Sequence, residues 1–379
     1  MPPKPPTATV NELRSDTRPI YPYAGPLVVV FVPASELTRF TSAIFCGVGV
    51  SRSESQRVAE SLVASDLCGH DSHGVLRVAA YIDRLRDGGL VAGAELEVLR
   101  ETESLLAADA HLGFGQVQAG RLVERLLVKA KHQGVACGTM KNCGHAGRLG
   151  EWVERVAHAG LAGMMSVNDN GVLKCVAPPG GLEPRISTNP IAIGVPTGGA
   201  PLVVDISTSI VANGKVKADY LAGRQCPPGW LQDADGNPTT DPAVRFTDPR
   251  GTIYPLGGPG DYKGFGLGLL LDILIGGLSG GLCPPAPEST PGTNNVLLLI
   301  WAPEQFSGRP HFLAEADKLL DFVRSTRRRR DVDQIRLPSD HSSETCRRRS
   351  GQGIPLDPST WHALVELARE LDVDVPDVE

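Results

Sequence analysis

The 379-residue sequence has no surplus of positive charge: 37 Lys and Arg stand against 43 Asp and Glu, for a net charge of −6. A chain that tracks a duplex needs cations to neutralise its phosphates, so nucleic acid is not expected as a partner. No uninterrupted apolar run reaches the roughly 20 residues of a bilayer span, so no membrane is expected either. The start, MPPKPPTATVNELRSDTRPIYPYAGP, lacks the apolar core of a signal peptide, and the short run Leu27 to Val32 ends at Pro33. Cysteines stand at 46, 68, 137, 143, 175, 226, 283 and 346 with no C-x-x-C pair. That spacing excludes the disulfide framework of a small secreted protein and gives cytoplasm as the expected compartment. No H-E-x-x-H or similar cluster occurs, so no metal is expected. Glycine is frequent (43 residues) but follows no G-X-Y period, which excludes a collagen-like chain.

The nucleotide fingerprints are missing too. A G-x-G-x-x-G turn should link a strand to a helix. The nearest string, GFGQVQAG at 113–120, misplaces its third glycine and follows no β-branched strand. P-loop and G-x-S-x-G patterns are absent.

What is present suits a folded chain, since 41% apolar residues can bury a sizeable core. Residues 1–27 read as a disordered tail. Ser35 is placed to cap a helix carrying Leu37, Phe40, Ile44 and Phe45. A second helix starts near Ser53 and runs into the polar loop CGHDSHG, followed by a third helix ending at a Gly-Gly pair. Residues 95–110 read as two short strands. From Gly113 helices alternate with strands, NPIAIGVP and PLVVDIS form a hairpin around TGGA, and NNVLLLIWAP reads as a central strand. KGFGLGLLLDILIGGLSGGL is apolar nearly all round and is expected to be a helix buried inside the protein. Segments 311–328 and 357–371 are amphipathic helices. The expected class is α+β, with a helical region from both termini (28–110 and 305–379) enclosing a mixed middle (111–304).

Four polar segments are candidates for chemistry. In GHDSHGVLR, Ser72, His73 and Arg77 can face one site, where an arginine fork reads a carboxylate; taken alone they equally fit an N-cap serine beside two solvated histidines. In KNCGHAGRLG, His145 stands at a helix entry, where the dipole favours a neutral imidazole suited to acid–base work. Asp205, after PLVV, can bind a ribose or an amide, or close an Asx-turn. Lys263, among glycines, suits a phosphate or carboxylate. The run Arg327–Arg330 reads as a solvated helix end.

These strings carry a resemblance. DLCGHDSHGVLRVAAYIDRL, NCGHAGRLGEWVERVAHAGL, STNPIAIGVP, VVDISTS, GKV, PPGWLQDADGNPTTDP, PLGGPGDYKGFGLGLLLDILIGGLSG and IRLPSD follow one another in the order of the malate/L-lactate dehydrogenase type-2 family, from about residue 28 onward. That family includes ureidoglycolate, sulfolactate and diketogulonate oxidoreductases and reductases of cyclic imino acids. The resemblance implies NAD or NADP bound on a mostly antiparallel sheet rather than a Rossmann fold, and a homodimer with its site near the subunit interface. It implies hydride transfer between NAD(P)H and a small 2-oxo or 2-hydroxy acid. A cyclic imino acid reductase, or a degenerate non-catalytic dimer, is the alternative. By position, His145 matches the catalytic histidine and Ser72, His73 and Arg77 the substrate loop. Asp205, Ile206, Ser207, Lys263, Pro338, Ser339 and Asp340 match cofactor contacts. Three departures stand out. Ser187 and Ser339 replace usual glycines, and NDNGVLKCVA is longer than the family loop where Asn168 and Asp169 lie nearest an expected cofactor contact.

Overall fold

The computed structural model describes residues 29–260 and 262–377; the tail expected at 1–27 lies outside them. In chain order the elements are β1 (Val30–Val32), α1 (Ala34–Gly47), α2 (Arg52–Leu67), α3 (Val78–Arg86), β2 (Glu97–Glu101), β3 (Leu105–Asp109), α4 (Gly115–Gln133), β4 (Val135–Cys143), α5 (Leu149–His158), β5 (Ala162–Asn168), β6 (Ile191–Val195), β7 (Leu202–Ile206), α6 (Asn213–Leu221), β8 (Leu231–Gln232), β9 (Pro238–Thr239), β10 (Thr252–Ile253), α7 (Tyr262–Ser279), β11 (Asn294–Trp301), α8 (Arg309–Arg324), α9 (Asp340–Gln352), β12 (Ile354–Leu356) and α10 (Pro358–Glu370).

The main sheet has the order β2-β3-β4-β11-β5-β6-β7. Among these neighbours β3–β4 is parallel and the other pairings are antiparallel. The expected class, α+β with a mostly antiparallel sheet, agrees with this. β11, read as a central strand, lies in the middle of the seven.

Alternate residues of each strand face opposite sides, and the two faces are covered differently. Ala136, Met140, Met165, Val296 and Leu298 pack with α4 and α5 in the largest core. Cys137, Met164, Ile191 and Leu297 face α7 through Leu271 and Ile275. A second core joins the two ends of the chain: β1 pairs antiparallel with β12, and Phe40, Phe45, Ile82, Ile354 and Leu364 bury against one another. A third, smaller core gathers around β8 and β10.

Three local expectations are corrected. Ser35 does not cap α1; Pro33 occupies the cap position, its fixed φ ending β1 and starting the helix, while Ser51 caps α2 by accepting from Glu54 N–H at 3.3 Å. The sheet begins at Glu97, ahead of the boundary expected at 110, because β3 pairs along β4 and buries Leu106 in the sheet core. The helix α7 is buried on one face alone: Leu270, Ile273 and Leu278 are 61%, 52% and 58% exposed. By length and composition α7 would suffice to cross a membrane, yet its inner face carries buried Asp272, hydrogen-bonded to Asn168 and Asn189, and packs on the sheet.

Candidate active site

The loop that carries Ser72, His73 and Arg77 is built around a buried carboxylate. Asp66, at the end of α2, accepts Val75 N–H at 2.9 Å. Gly74 lies so close to this carboxylate that a Cβ there would sit 1.7 Å from Asp66 Oδ1. Glycine is therefore required, and the chain can fold into two short turns, Asp71–His73 and Val75–Arg77. Burial raises the Asp66 carboxyl well above its ordinary value.

Those turns bring Ser72, His73 and Arg77 together. Ser72 Oγ lies 3.0 Å from His73 Nδ1, and Arg77 Nε donates to Ser72 O at 2.8 Å. The imidazoles of His73 and His145 stack with centroids 5.3 Å apart. His145 arrives from the loop between β4 and α5. Its backbone packs on the start of α4, where a Cβ on Gly115 would be 2.1 Å from His145 O.

The sequence reading missed the residues that orient His145. Tyr81 OH lies 2.7 Å from His145 Nδ1, and Gln116 Nε2 donates to the same phenol oxygen at 2.8 Å. A phenol can donate to Nδ1 or accept from it, so either imidazole tautomer is satisfied and Nε2 is the nitrogen left for a ligand. Asn294, at the start of β11, accepts Ala146 N–H at 2.9 Å and donates to Asn168 O at 3.1 Å. Tyr81 had one signal available: it stands four residues after Arg77, one helical turn along. Nothing in the sequence joins Gln116 or Asn294 to the site.

His145 is held well below its ordinary value, first by burial and then by Arg77, His73 and Arg84. His73 falls to about 3 for the same leading reason, with Arg77 next. The expected helix dipole is not the cause, because α5 begins at Leu149, four residues later. The first turn of α6 closes the pocket: a Cβ on Gly214 would lie 3.6 Å from Arg77 Nη2, and the Lys215 charge reaches His73.

A second group of residues gathers at the end of β7. Asp205 Oδ2 accepts Gly150 N–H at 2.7 Å, which holds the first turn of α5; this replaces the Asx-turn. Burial raises its carboxyl. Ile206 is 42% exposed beside it, and Ser207 Oγ donates to Ser209 O at 3.0 Å. The turn containing Pro338, Ser339 and Asp340 joins β7 directly. Ser339 Oγ accepts Val203 N–H at 2.8 Å and donates to Val203 O at 3.1 Å. Ser339 has φ 73°, which explains why glycine suits this position; the two bonds to the sheet edge offset the strain of about 1–2 kcal/mol. Asp340 Oδ2 accepts Leu337 N–H at 2.7 Å. Lys263 is exposed in the first turn of α7; the residue after it, Gly264, packs on Leu256, whose N–H donates to Thr208 O at 2.9 Å.

The other departures have local explanations. Ser187 is buried outside the positive-φ region, so a side chain is tolerated. The Asn168 amide is spoken for inside the protein, donating to Asp272 at 2.8 Å and accepting from Asn295 at 2.9 Å. Asp169 Oδ2 accepts Leu173 N–H, and burial, reinforced by Asp272, pushes its carboxyl up to about 7.

Comparison with known proteins finds relatives along nearly the whole chain. Hydroxycarboxylate dehydrogenase B of Escherichia coli O157:H7 is 33% identical over 343 residues, covering 89% of this chain and 93% of its own. The structure of malate dehydrogenase from Pyrococcus horikoshii OT3 superposes with a TM-score of 0.83 at 28% identity, over 93% of this chain and 99% of that one. The delta1-piperideine-2-carboxylate reductase of Pseudomonas syringae superposes with a TM-score of 0.77 at 30% identity, over 89% and 99%. The family described as malate/L-lactate dehydrogenase matches residues 32–365. The chain therefore belongs to the malate/L-lactate dehydrogenase family.

Proposed function

We propose that the protein interconverts a small 2-oxo acid and the corresponding 2-hydroxy acid with NAD or NADP as hydride partner. The observation that carries this reading is a half-buried His145 whose Nδ1 is held by Tyr81, with the Arg77 charge close enough to depress it and Arg77 Nε anchored to Ser72. Arg77 binds the substrate carboxylate through its terminal nitrogens, Nε being anchored to Ser72. In oxidation, Nε2 of neutral His145 takes the hydroxyl proton while Nδ1–H donates to the Tyr81 oxygen, and the reverse holds in reduction. A bound substrate carboxylate offsets the Arg77 charge that depresses the imidazole, so protonated His145 becomes accessible when substrate is in place.

A nicotinamide cofactor, when bound, supplies or accepts the hydride at C2. The residues at the end of β7 fit such a group. Exposed Ile206 offers an apolar face beside Asp205 and Ser207, the Ser339 turn bonds to the same strand, and we assign Lys263 to the same group. A homodimer is part of the proposal, since the bare apolar face of α7 is what a second copy would cover. Replacing Ile273 and Leu270 by lysine should then yield monomers in sedimentation.

The piperideine-carboxylate reductase neighbour favours one second reading, a cyclic imino acid as acceptor. A panel of 2-oxo acids and Δ1-pyrroline-2-carboxylate with NADH and NADPH, followed by absorbance, separates the two. No oxidation of either cofactor by any member sinks both. The remaining alternative is a non-catalytic dimer; retention of His145, Arg77 and Lys263 speaks against it. In a thermal-shift titration, stabilisation by NADH or NADPH supports the enzyme, and no shift with either favours the degenerate dimer.

A further inference from the structure

One face of α9 is devoted to the exit from α2. Ser342, Thr345, Cys346 and Arg349 recur at helical spacing, and each meets residues 66–71. Ser342 Oγ lies 3.5 Å from His70 Nε2. A Cβ on Gly69 would be 3.2 Å from Thr345 Cγ2. Arg349 donates to Asp66 O and to the Asp71 carboxylate. Between these contacts Cys68 and Cys346 each adjoin the contacting pair Gly69 and Thr345, one on either side of the seam between α2 and α9. Both cysteines are free and half-buried.

The position of the pair links two parts of the cleft. Cys68 caps the C-terminus of α2, four and five residues before Ser72 and His73. Cys346 lies on α9, which starts directly after the Ser339 turn. A bond between the two sulfurs would tie the substrate loop to the helix carrying that turn. It would also draw the two sulfurs together to the roughly 2.05 Å of an S–S bond. That displacement falls on the loop that positions His73 and Arg77, and a misplacement of about 1 Å can cost around a hundredfold in rate.

We propose that Cys68 and Cys346 form a reversible disulfide that locks the substrate loop onto α9 and lowers turnover. With a peroxide as oxidant the step balances. One thiolate attacks a peroxide oxygen and expels hydroxide, giving a sulfenic acid; the other sulfur displaces the second oxygen as water. Two thiols lose two electrons and two protons, and the peroxide leaves as two waters. A dithiol reductant reverses the bond by exchange.

The test uses the full-length protein, treated with hydrogen peroxide or with dithiothreitol and digested with trypsin without reduction. Cys68 and Cys346 are the sole cysteines of peptides 58–77 and 337–347. The expected product is these two peptides joined, lighter than their sum by two hydrogen atoms, and absent from Cys346→Ser. Hydrogen exchange of loop amides 70–77 should slow severalfold in the oxidised protein. The activity arm rests on the function proposed above: turnover of a 2-oxo acid should fall at least tenfold on oxidation and return with dithiothreitol. Cys346→Ser should keep its reduced-state activity and resist the peroxide. A missing cross-link, a cross-link that leaves both loop exchange and turnover unchanged, or equal inactivation of Cys346→Ser overturns the proposal. If the reduced protein turns over no 2-oxo acid, the functional reading fails by itself, and the cross-link and loop exchange still decide the lock.

Discussion

The two ends of the cleft are held by different means. Around His145, side chains hold side chains: Gln116 fixes Tyr81, Tyr81 fixes the imidazole, and Asn294 fixes the following peptide. At the end of β7 the links run to backbone, Ser339 to Val203 and Asp205 to Gly150, while Ile206 and Pro338 remain exposed. The difference teaches where preorganisation is needed. Under the proposed function, a proton is exchanged along one line at His145, so its donor is fixed before substrate arrives, and a large cofactor at the end of β7 would bring its own surface and bury what it finds exposed.

The sharpest way to break this comparison is His145→Ala. Losing a positioned acid–base group should lower kcat by about 10²–10⁴ with little change in KM. A merely packed histidine would shift the melting curve and leave the kinetics of the folded fraction unchanged, so both are measured on one preparation. Next comes Arg77→Ala, which should act chiefly through KM. An unpartnered buried carboxylate costs about 2–5 kcal/mol, so kcat/KM should drop by roughly 30- to several thousandfold. Tyr81→Phe should be milder. It removes one hydrogen bond to an imidazole that becomes charged, worth about 1.5–3 kcal/mol, and should lower kcat roughly 10- to 100-fold; the melting temperature should fall as well, because the buried Gln116 amide loses its acceptor. An unaltered kcat would remove Tyr81 from the site.

The pH profile sharpens the same end. Because burial and Arg77 hold His145 well below its ordinary value, the free enzyme carries neutral imidazole across pH 6–8. Oxidation uses that neutral form, so its kcat/KM should stay flat there. Reduction needs the protonated form, so its kcat/KM should fall about tenfold per pH unit as pH rises. A bell centred near 6.5 would contradict the buried, depressed histidine.

The smallest effect belongs to the cofactor end. Ser339→Ala keeps the left-handed backbone and loses two bonds to β7, so it should cost about 1–2 kcal/mol in denaturant unfolding. Ser339→Gly loses the same bonds but relieves the strain, and should fall close to wild type. Equal losses in both variants would show that strain is not what the serine offsets.

Much of this was legible in the sequence, for reasons that can be traced residue by residue. Ser72, His73, Arg77 and His145 lie in polar, glycine-punctuated loops, where few core demands compete with chemistry. The unbroken apolar run in NNVLLLIWAP and the TGGA hairpin identified β11, β6 and β7 because both are local signals. Gln116 and Asn294 were illegible because their roles depend on partners 35 and 148 residues away. The exposure of α7 was illegible for another reason. Hydropathy reports how much surface a helix must hide, and says nothing of whether its own chain or a neighbour hides it. The depressed histidine was expected from a dipole, yet its cause is burial, which the sequence around His145 does not encode.

The place of β11 bears on how the chain assembles. β4 and β5 lie about twenty residues apart in sequence, but β11, supplied by residues 294–301, separates them in the sheet. A growing chain that has emerged as far as β7 therefore holds two strands whose common partner has yet to be synthesised. Their unpaired edges are the kind that recruit foreign strands, and pairing across more than a hundred residues is intrinsically slow. The closure of β1 on β12 comes later still. Folding of this protein is thus gated by its last third, and the nascent chain must keep two open edges from each other, and from neighbouring chains, until that third arrives.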